Sequence, residues 1–336
     1  MNKFLKIITL FLIFLIIFIF SLELFARFKK PYWHVSDPKI GWKLKKNFSH
    51  TYKNYDQDNN IYYSKFQTNQ NGLRVYGNIN SKIKILTLGD SFTADPYSGN
   101  DKMWFSYLSN KISDHTNQEV VVYAAGGGGY SSLQEYLLLK EIINKQDYNI
   151  FILQFCSNDF GSNLFEAETS GNNFNQFFKR PYMNKSGNII FYQSFLAKLF
   201  RTKLIGESRF FNKLLFLFSI YKKNEATDKN EKNILDEKSI TITNLLLKKI
   251  RSIVNLDKAY IINCDNALEG PNKNWKKIAK KNNFIPLELL NKKIEIDIKN
   301  KNKIFFSDLA HFNNFGNKIF GEAIFEEMIN YEKFNF

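Results

Sequence analysis

Ser91, in Leu88-Gly89-Asp90-Ser91-Phe92-Thr93, stands directly after an apolar run that reads as a buried strand, where a hydroxyl can be held rigidly as a nucleophile. A serine hydroxyl attacks poorly at neutral pH unless a neighbouring base takes its proton. The chain has four histidines, His34, His50, His115 and His311. The first two fall in a polar, aromatic region near the N-terminus and His115 falls at the end of a predicted helix, so these three read as exposed bystanders. His311 closes the segment Asp308-Leu309-Ala310-His311. At that spacing the carboxylate can reach back to the imidazole, fix its tautomer and stabilise the imidazolium formed during proton transfer. Ser91, His311 and Asp308 are therefore the expected catalytic residues, working through an acyl-enzyme.

Acyl transfer also needs donors aimed at the developing oxyanion, and loss of one such donor typically costs about 100- to 1,000-fold in rate. Three sources follow predicted strands: the backbone N–H of Ser91, a backbone N–H in the turn Gly126-Gly127-Gly128-Gly129, and the side-chain amide of Asn158 in Ser157-Asn158-Asp159. Glycines suit such a turn because the backbone can approach substrate with no side chain in the way.

These residues need a scaffold that delivers them to one edge. Ile83–Leu88, Val120–Ala124, Ile150–Phe155 and Ala259–Cys264 are largely apolar runs of strand length, the pattern of strands covered on both faces. Helical patterns lie between them, at Trp104–Ser113, Leu133–Asn144, Ile240–Val254 and Trp275–Asn282, with a last one at Asn314–Tyr331. Alternating strands and helices predict a parallel sheet wrapped by helices, whose carboxyl edge is the ligand-binding edge.

Residues 31–81 read as a small β-rich collar, with turn signals at Asp37-Pro38 and Asn71-Gly72 and a strand at Ile61–Thr68. Residues 82–336 form the main domain, interrupted by an insertion at about 160–237. Within it, Ser194–Tyr221 is rich in phenylalanine and leucine with interleaved lysine and arginine, the composition of a packed helical pair, an active-site cover or a membrane-hugging amphipathic helix. Asn224–Asp236 is polar and charged and reads as a loop.

Residues 1–30 are an appendage. Ile7–Leu22 carries no charge and Leu24–Phe28 extends it, so residues 4–28 approach the roughly 20 apolar residues that a membrane-spanning helix needs. Lys3 and Lys6 would also suit a signal peptide, but Leu24-Phe25-Ala26 lacks the small-residue pair of a cleavage site, which favours an uncleaved anchor. The net charge of +15 comes from lysines dispersed along the chain with no nucleic-acid motif around them, so no nucleic-acid partner is expected. Two cysteines, Cys156 and Cys264, exclude a disulfide framework and a cysteine-built zinc site. Both fall at strand ends and are expected as buried thiols, because adjacent parallel strands seldom offer disulfide geometry.

In order and position, the four blocks around Ser91, Gly129, Asn158 and Asp308/His311 resemble the SGNH hydrolase superfamily, the GDSL esterases and lipases, over about Lys82–Tyr331. Two positions depart from the pattern: Ala124 replaces the asparagine of the second block, and Cys156 stands where the third block begins with glycine. The collar segments Asp37–Trp42 and Thr68–Arg74 look like the preamble of membrane-anchored bacterial members. The resemblance implies a flavodoxin-like α/β three-layer sandwich with a parallel sheet of about five strands. It also implies an extracytoplasmic (periplasmic) catalytic domain, an oxyanion hole from Ser91, Gly129 and Asn158, and no cofactor or metal. The expected activity is hydrolysis of an ester-bearing lipid or acylated carbohydrate. Two alternatives are an O-acyltransferase acting on envelope polysaccharide, which shares the acyl-enzyme, and an inactive membrane-tethered binding module. An α/β-hydrolase elbow is excluded because Gly-x-Ser-x-Gly does not occur.

Overall fold

The computed structural model describes residues 3–29, 31–94, 96–170, 179–214, 229–265 and 270–331. Turn chemistry shapes the region after the first helix. β1 (His34–Asp37) and β2 (Gly41–Leu44) form a hairpin in which Asp37 Oδ1 accepts the N–H groups of Lys39 and Ile40 at 2.9 and 2.8 Å. Gly41 completes that turn at φ +94°, a backbone conformation that costs glycine nothing. β3 (Ser49–Tyr55) and β4 (Ile61–Gln67) form a second hairpin. β5 (Arg74–Tyr76) leaves the hairpins and joins the main sheet.

That sheet has six strands. β6 (Ile83–Gly89), β7 (Val120–Gly126), β8 (Ile150–Phe155), β11 (Ala259–Asn263) and β12 (Ile285–Leu287) run parallel, and β5 pairs antiparallel with β7 at one edge. The order β12-β11-β8-β6-β7-β5 puts β6, which ends at the nucleophile candidate, beside both β7 and β8. Four of the parallel five, β6, β7, β8 and β11, are the strands expected from the apolar runs, and β12 brings the number to the five that the resemblance implies.

Side chains alternate across the sheet, so each apolar run feeds two cores. Leu86, Leu88, Phe151, Leu153 and Ile261 face the helices Ser132–Ile142, Lys229–Ile253 and Trp275–Lys281. Ile83, Ile85, Ile150, Ile152 and Ile262 face the helices Trp104–Thr116, Leu289–Lys299 and Asn314–Tyr331. The chain is thus an α/β three-layer sandwich.

Two expectations are corrected here. Cys156 and Cys264 form a disulfide, with Cα atoms 5.2 Å apart. The two residues lie just past the ends of the neighbours β8 and β11, where the chain leaves the ladder and the side chains can turn toward each other. Residues 229–236, expected as loop, belong to the long helix Lys229–Ile253, whose buried Leu235 packs with Ile242 and Leu246. Residues 215–221 and 224–228, which the sequence assigns to a helical pair and a loop, lie outside the described residues.

Residues 160–237 contribute a short hairpin, β9 (Pro181–Met183) with β10 (Ile189–Phe191), and the helices Phe195–Phe200 and Lys203–Gly206. The N-terminal helix Lys3–Lys29 is long and apolar enough to cross a membrane, with a mean hydropathy of 2.9 in its most apolar window. Its C-terminal end meets this insertion. Glu23 accepts hydrogen bonds from Ser208 Oγ (2.8 Å) and from the N–H groups of Arg209 (3.1 Å) and Phe210 (3.0 Å), while Arg27 donates to the Glu207 carbonyl (3.3 Å).

Candidate active site

β6 ends on Gly89 because nothing larger fits. A Cβ there would lie 2.2 Å from Gln154 Oε1 and 2.7 Å from Thr93 Oγ1. The space lets Gln154, a buried polar residue on β8, reach across to the turn. Its Oε1 accepts from Asp90 N (3.2 Å) and Thr93 Oγ1 (2.9 Å), and its Nε2 donates to Asp90 Oδ1 (3.1 Å). Asp90 Oδ1 also accepts from Phe92 N (3.0 Å). Burial pushes the Asp90 carboxyl up to about 6 against these bonds, which favour its charged form. Gln154 and Asp90 thereby fix the backbone on both sides of Ser91.

Ser91 Oγ lies 2.8 Å from His311 Nε2, and His311 Nδ1 lies 2.6 Å from Asp308 Oδ2. The other Asp308 oxygen accepts the N–H groups of Ala310 and His311, each at 3.0 Å. Burial alone would raise the Asp308 carboxyl, but the bonds from the His311 ring and from the two N–H groups outweigh it and hold the group below its ordinary range. Leu309 adopts φ +56°, and this left-handed residue folds the segment so that Asp308 reaches His311. Tyr97 stacks on the imidazole at 5.0 Å and Phe92 packs at 5.2 Å, which limits ring rotation.

The four-glycine run divides by position. Gly126 ends β7 opposite Gly89, where a Cβ would meet the Gly89 carbonyl at 2.1 Å, so it serves the sheet. Gly129 takes φ +68° and lines the cavity above Ser91 with Gly128. Two anchors hold these glycines by their carbonyls. Trp42 Nε1 donates to Gly128 O (3.2 Å), and Arg180 donates to Gly129 O (2.6 Å) while its guanidinium stacks over Trp42 at 5.5 Å. Arg180 pairs with Glu168 at 3.1 Å, both almost wholly buried.

Asn158 opens the short helix Asn158–Gly161 and donates one amide N–H to the Tyr130 carbonyl at 2.9 Å. It is not among the residues that line the cavity. Beneath it, Asp159 accepts from Cys156 N and Ser132 Oγ, each at 2.8 Å, which fixes the loop after β8. Burial drives the Asp159 and Glu135 carboxyls upward; Asp159 raises Glu135 through like charge, and Asp90 raises both.

The cavity holds about 450 Å³. It is lined by Ser91, Gly128, Gly129 and His311 together with Tyr32, Trp33, His34 and Trp42 from the N-terminal region and Lys179, Gly206 and Asn212 from residues 160–237. His34, expected as an exposed bystander, is instead 7% exposed and part of this wall. The β1–β2 hairpin folds it inward, a placement that its local sequence does not signal. His50 is half-buried against Tyr52, and His115 is exposed, as expected, with its ring edge-on to Phe325. Sequence reasoning also missed Gln154, Arg180 and Lys179. Gln154 had a signal, as one polar residue inside an apolar strand run; the two cations had none.

A parallel α/β sheet carrying a serine–histidine–aspartate chain at its carboxyl edge defines a class of acyl-transfer enzymes. Residues 85–324 match the GDSL-like Lipase/Acylhydrolase family, and the chain belongs to it as an ester-hydrolysing enzyme. No curated protein matches the sequence. Similar solved structures include a psychrotrophic esterase from Pseudoalteromonas sp., at 14% identity over 74% of this chain and 97% of that one, TM-score 0.40. An acetyl xylan esterase from Geobacillus stearothermophilus is similar at 14% identity over 74% and 96%, TM-score 0.41. A member of the lipolytic protein G-D-S-L family from Veillonella parvula is similar at 13% identity over 73% and 97%, TM-score 0.37. The family assignment rests on the sequence match.

Proposed function

We propose that the protein is a membrane-tethered serine esterase in which Ser91, His311 and Asp308 act as a catalytic triad. The observation that carries this reading is the unbroken chain of contacts, 2.8 Å from Ser91 Oγ to His311 Nε2 and 2.6 Å from His311 Nδ1 to Asp308 Oδ2. His311 takes the Ser91 proton as Oγ attacks the ester carbonyl, and Asp308, held ionised by its three donors, stabilises the imidazolium. The tetrahedral oxyanion is held by the N–H groups of Ser91 and Gly129 and by the second amide N–H of Asn158. Collapse expels the alcohol, which receives the proton from His311, and water activated by His311 then releases the acid from Ser91.

The tether is the helix Lys3–Lys29, and residues 31–81 and 82–336 are the collar and the hydrolase domain that it presents. The Cys156–Cys264 disulfide supports an extracytoplasmic placement, because structural disulfides persist in oxidising compartments. An inactive module is disfavoured by the completeness of the proton relay.

Ser91→Ala and His311→Ala are each expected to abolish turnover of a short-acyl nitrophenyl ester, a loss of about 1,000-fold or more. Full activity in either variant would end the proposal. Electrospray mass spectrometry of the intact chain during turnover should also show one acyl group, located on Ser91.

A further inference from the structure

The wall of the cavity that holds Ser91 also carries polar groups that the proposed ester chemistry does not use. Lys179 is only 7% exposed, yet its Nζ meets neutral acceptors, the Gly206 carbonyl at 2.6 Å and Asn212 Oδ1 at 2.8 Å. An ammonium has three N–H donors, so one is left over. Asn212 is oriented for this contact, since its amide nitrogen donates to the carbonyls of Gly206 (3.1 Å) and Ser208 (2.5 Å). Among the described residues Lys179 makes no ion pair. Buried cations are ordinarily paired, because an uncompensated charge is costly away from water.

Beside it, Trp33 Nε1 and His34 Nε2 are buried with no hydrogen-bond partner among the described residues. Both residues line the same cavity. Buried polar atoms without partners are rare, and in a cavity wall they are what a ligand's polar groups would satisfy. Cations predominate around it. Burial and the nearby Lys179 and Lys45 drive His34 down to about 3, so the imidazole is neutral. Arg209 stacks on Tyr32 at 5.4 Å and makes no ion pair among the described residues. Glu207 is the acid that acts on Lys179, and its carboxylate accepts the Ser36 N–H at 3.1 Å. Burial lowers Lys179 to about 8, which leaves it protonated at neutral pH.

We propose that Lys179, with Trp33 and His34, forms a subsite for an oxyanion carried by the ester substrate itself, so that the enzyme selects acylated compounds bearing a carboxylate or a phosphate. This selection rests on the esterase reading, but the subsite can be tested apart from it. The full chain in neutral-detergent micelles is assayed on two matched pairs, acetylated methyl glucuronoside against acetylated methyl glucoside, and 1-acetylglycerol 3-phosphate against 1-acetylglycerol. A ratio of kcat/KM within one preparation does not depend on the fraction of folded enzyme, so a partly misfolded variant still reports.

The wild type is expected to favour the anionic member of at least one pair by about tenfold or more, the scale of a charge-assisted hydrogen bond. The preferred pair identifies carboxylate or phosphate as the source. Lys179→Gln is expected to bring that ratio close to one. Equal kcat/KM for both members of both pairs in the wild type, or a preference that survives Lys179→Gln, overturns the subsite. Calorimetric titration of Ser91→Ala with methyl glucuronoside and with glycerol 3-phosphate, repeated with Lys179→Gln added, decides the case in which none of the four esters turns over. Lys179-dependent binding of either anion then upholds the subsite while the esterase reading fails. Its absence overturns the subsite.

Discussion

Asp90 precedes Ser91 and is buried in a place where its charge is unwelcome. Its carboxyl is raised to about 6 from an unfolded value of 3.8, so the folded state holds this proton more tightly than the unfolded chain does. The stability linked to it is therefore fully present below about pH 4 and is lost as pH rises through 6. A shift of this size corresponds to about 3 kcal/mol. Asp90→Asn keeps an oxygen for Phe92 N and Gln154 Nε2 and removes the titration. Unfolding midpoints measured at pH 4 and pH 7 should fall less between the two in Asp90→Asn than in the wild type. Ser91, His311 and Asp308 were legible as candidates because the chain has four histidines and only His311 follows an aspartate by three residues. His34 and Lys179 were not, since nothing in their neighbours marks a histidine in a hairpin or a lysine among many as facing a cavity.

At the scale of elements, the glycine turn is clamped by pieces remote in sequence. Trp42 comes from the first hairpin and Arg180 from the edge of β9, and both bind carbonyls of Gly128–Gly129. Arg180 is held by Glu168, and a buried pair of this kind is strongly destabilising to break from one side. Glu168→Ala is expected to cost about 3–5 kcal/mol in chemical denaturation. It should also lower kcat more than it raises KM, because the turn that carries the Gly129 N–H loses its support. The five parallel strands divide at the same scale. β6, β7, β8 and β11 are legible because each is an apolar run of five or more residues bounded by turn signals. β12 spans only Ile285–Leu287, too few residues for a period, and the helix Leu289–Lys299 that follows it went unread for want of a cap or breaker signal.

Across the whole molecule, contacts between residues remote in sequence tie its parts together. The Cys156–Cys264 disulfide joins residues 108 apart in sequence, next to the loop that carries Asn158. Closing a loop of that length restricts the unfolded chain, so Cys264→Ser is expected to lower stability by about 2–4 kcal/mol. Reduction of the wild type should bring its unfolding midpoint toward that of the variant. Glu23 fastens the N-terminal helix to residues 208–210, and those residues lie beside Gly206 and Asn212 of the cavity wall. The end of the N-terminal helix, the residues that follow it and residues 179–212 therefore come together near one cavity.

The sequence by itself determined four strands of the sheet, their order along the chain and the residue types at its carboxyl edge, because burial on two faces and strand-to-turn punctuation are local properties. Only the tertiary structure decided that Ser91 and His311, 220 residues apart, meet at 2.8 Å. It also decided that two cysteines pair across neighbouring strands and that His34 and Lys179 share a wall. Those outcomes depend on how strands are ordered in space and which loops are packed over them, and such long-range contacts leave no period or composition for a single sequence to display.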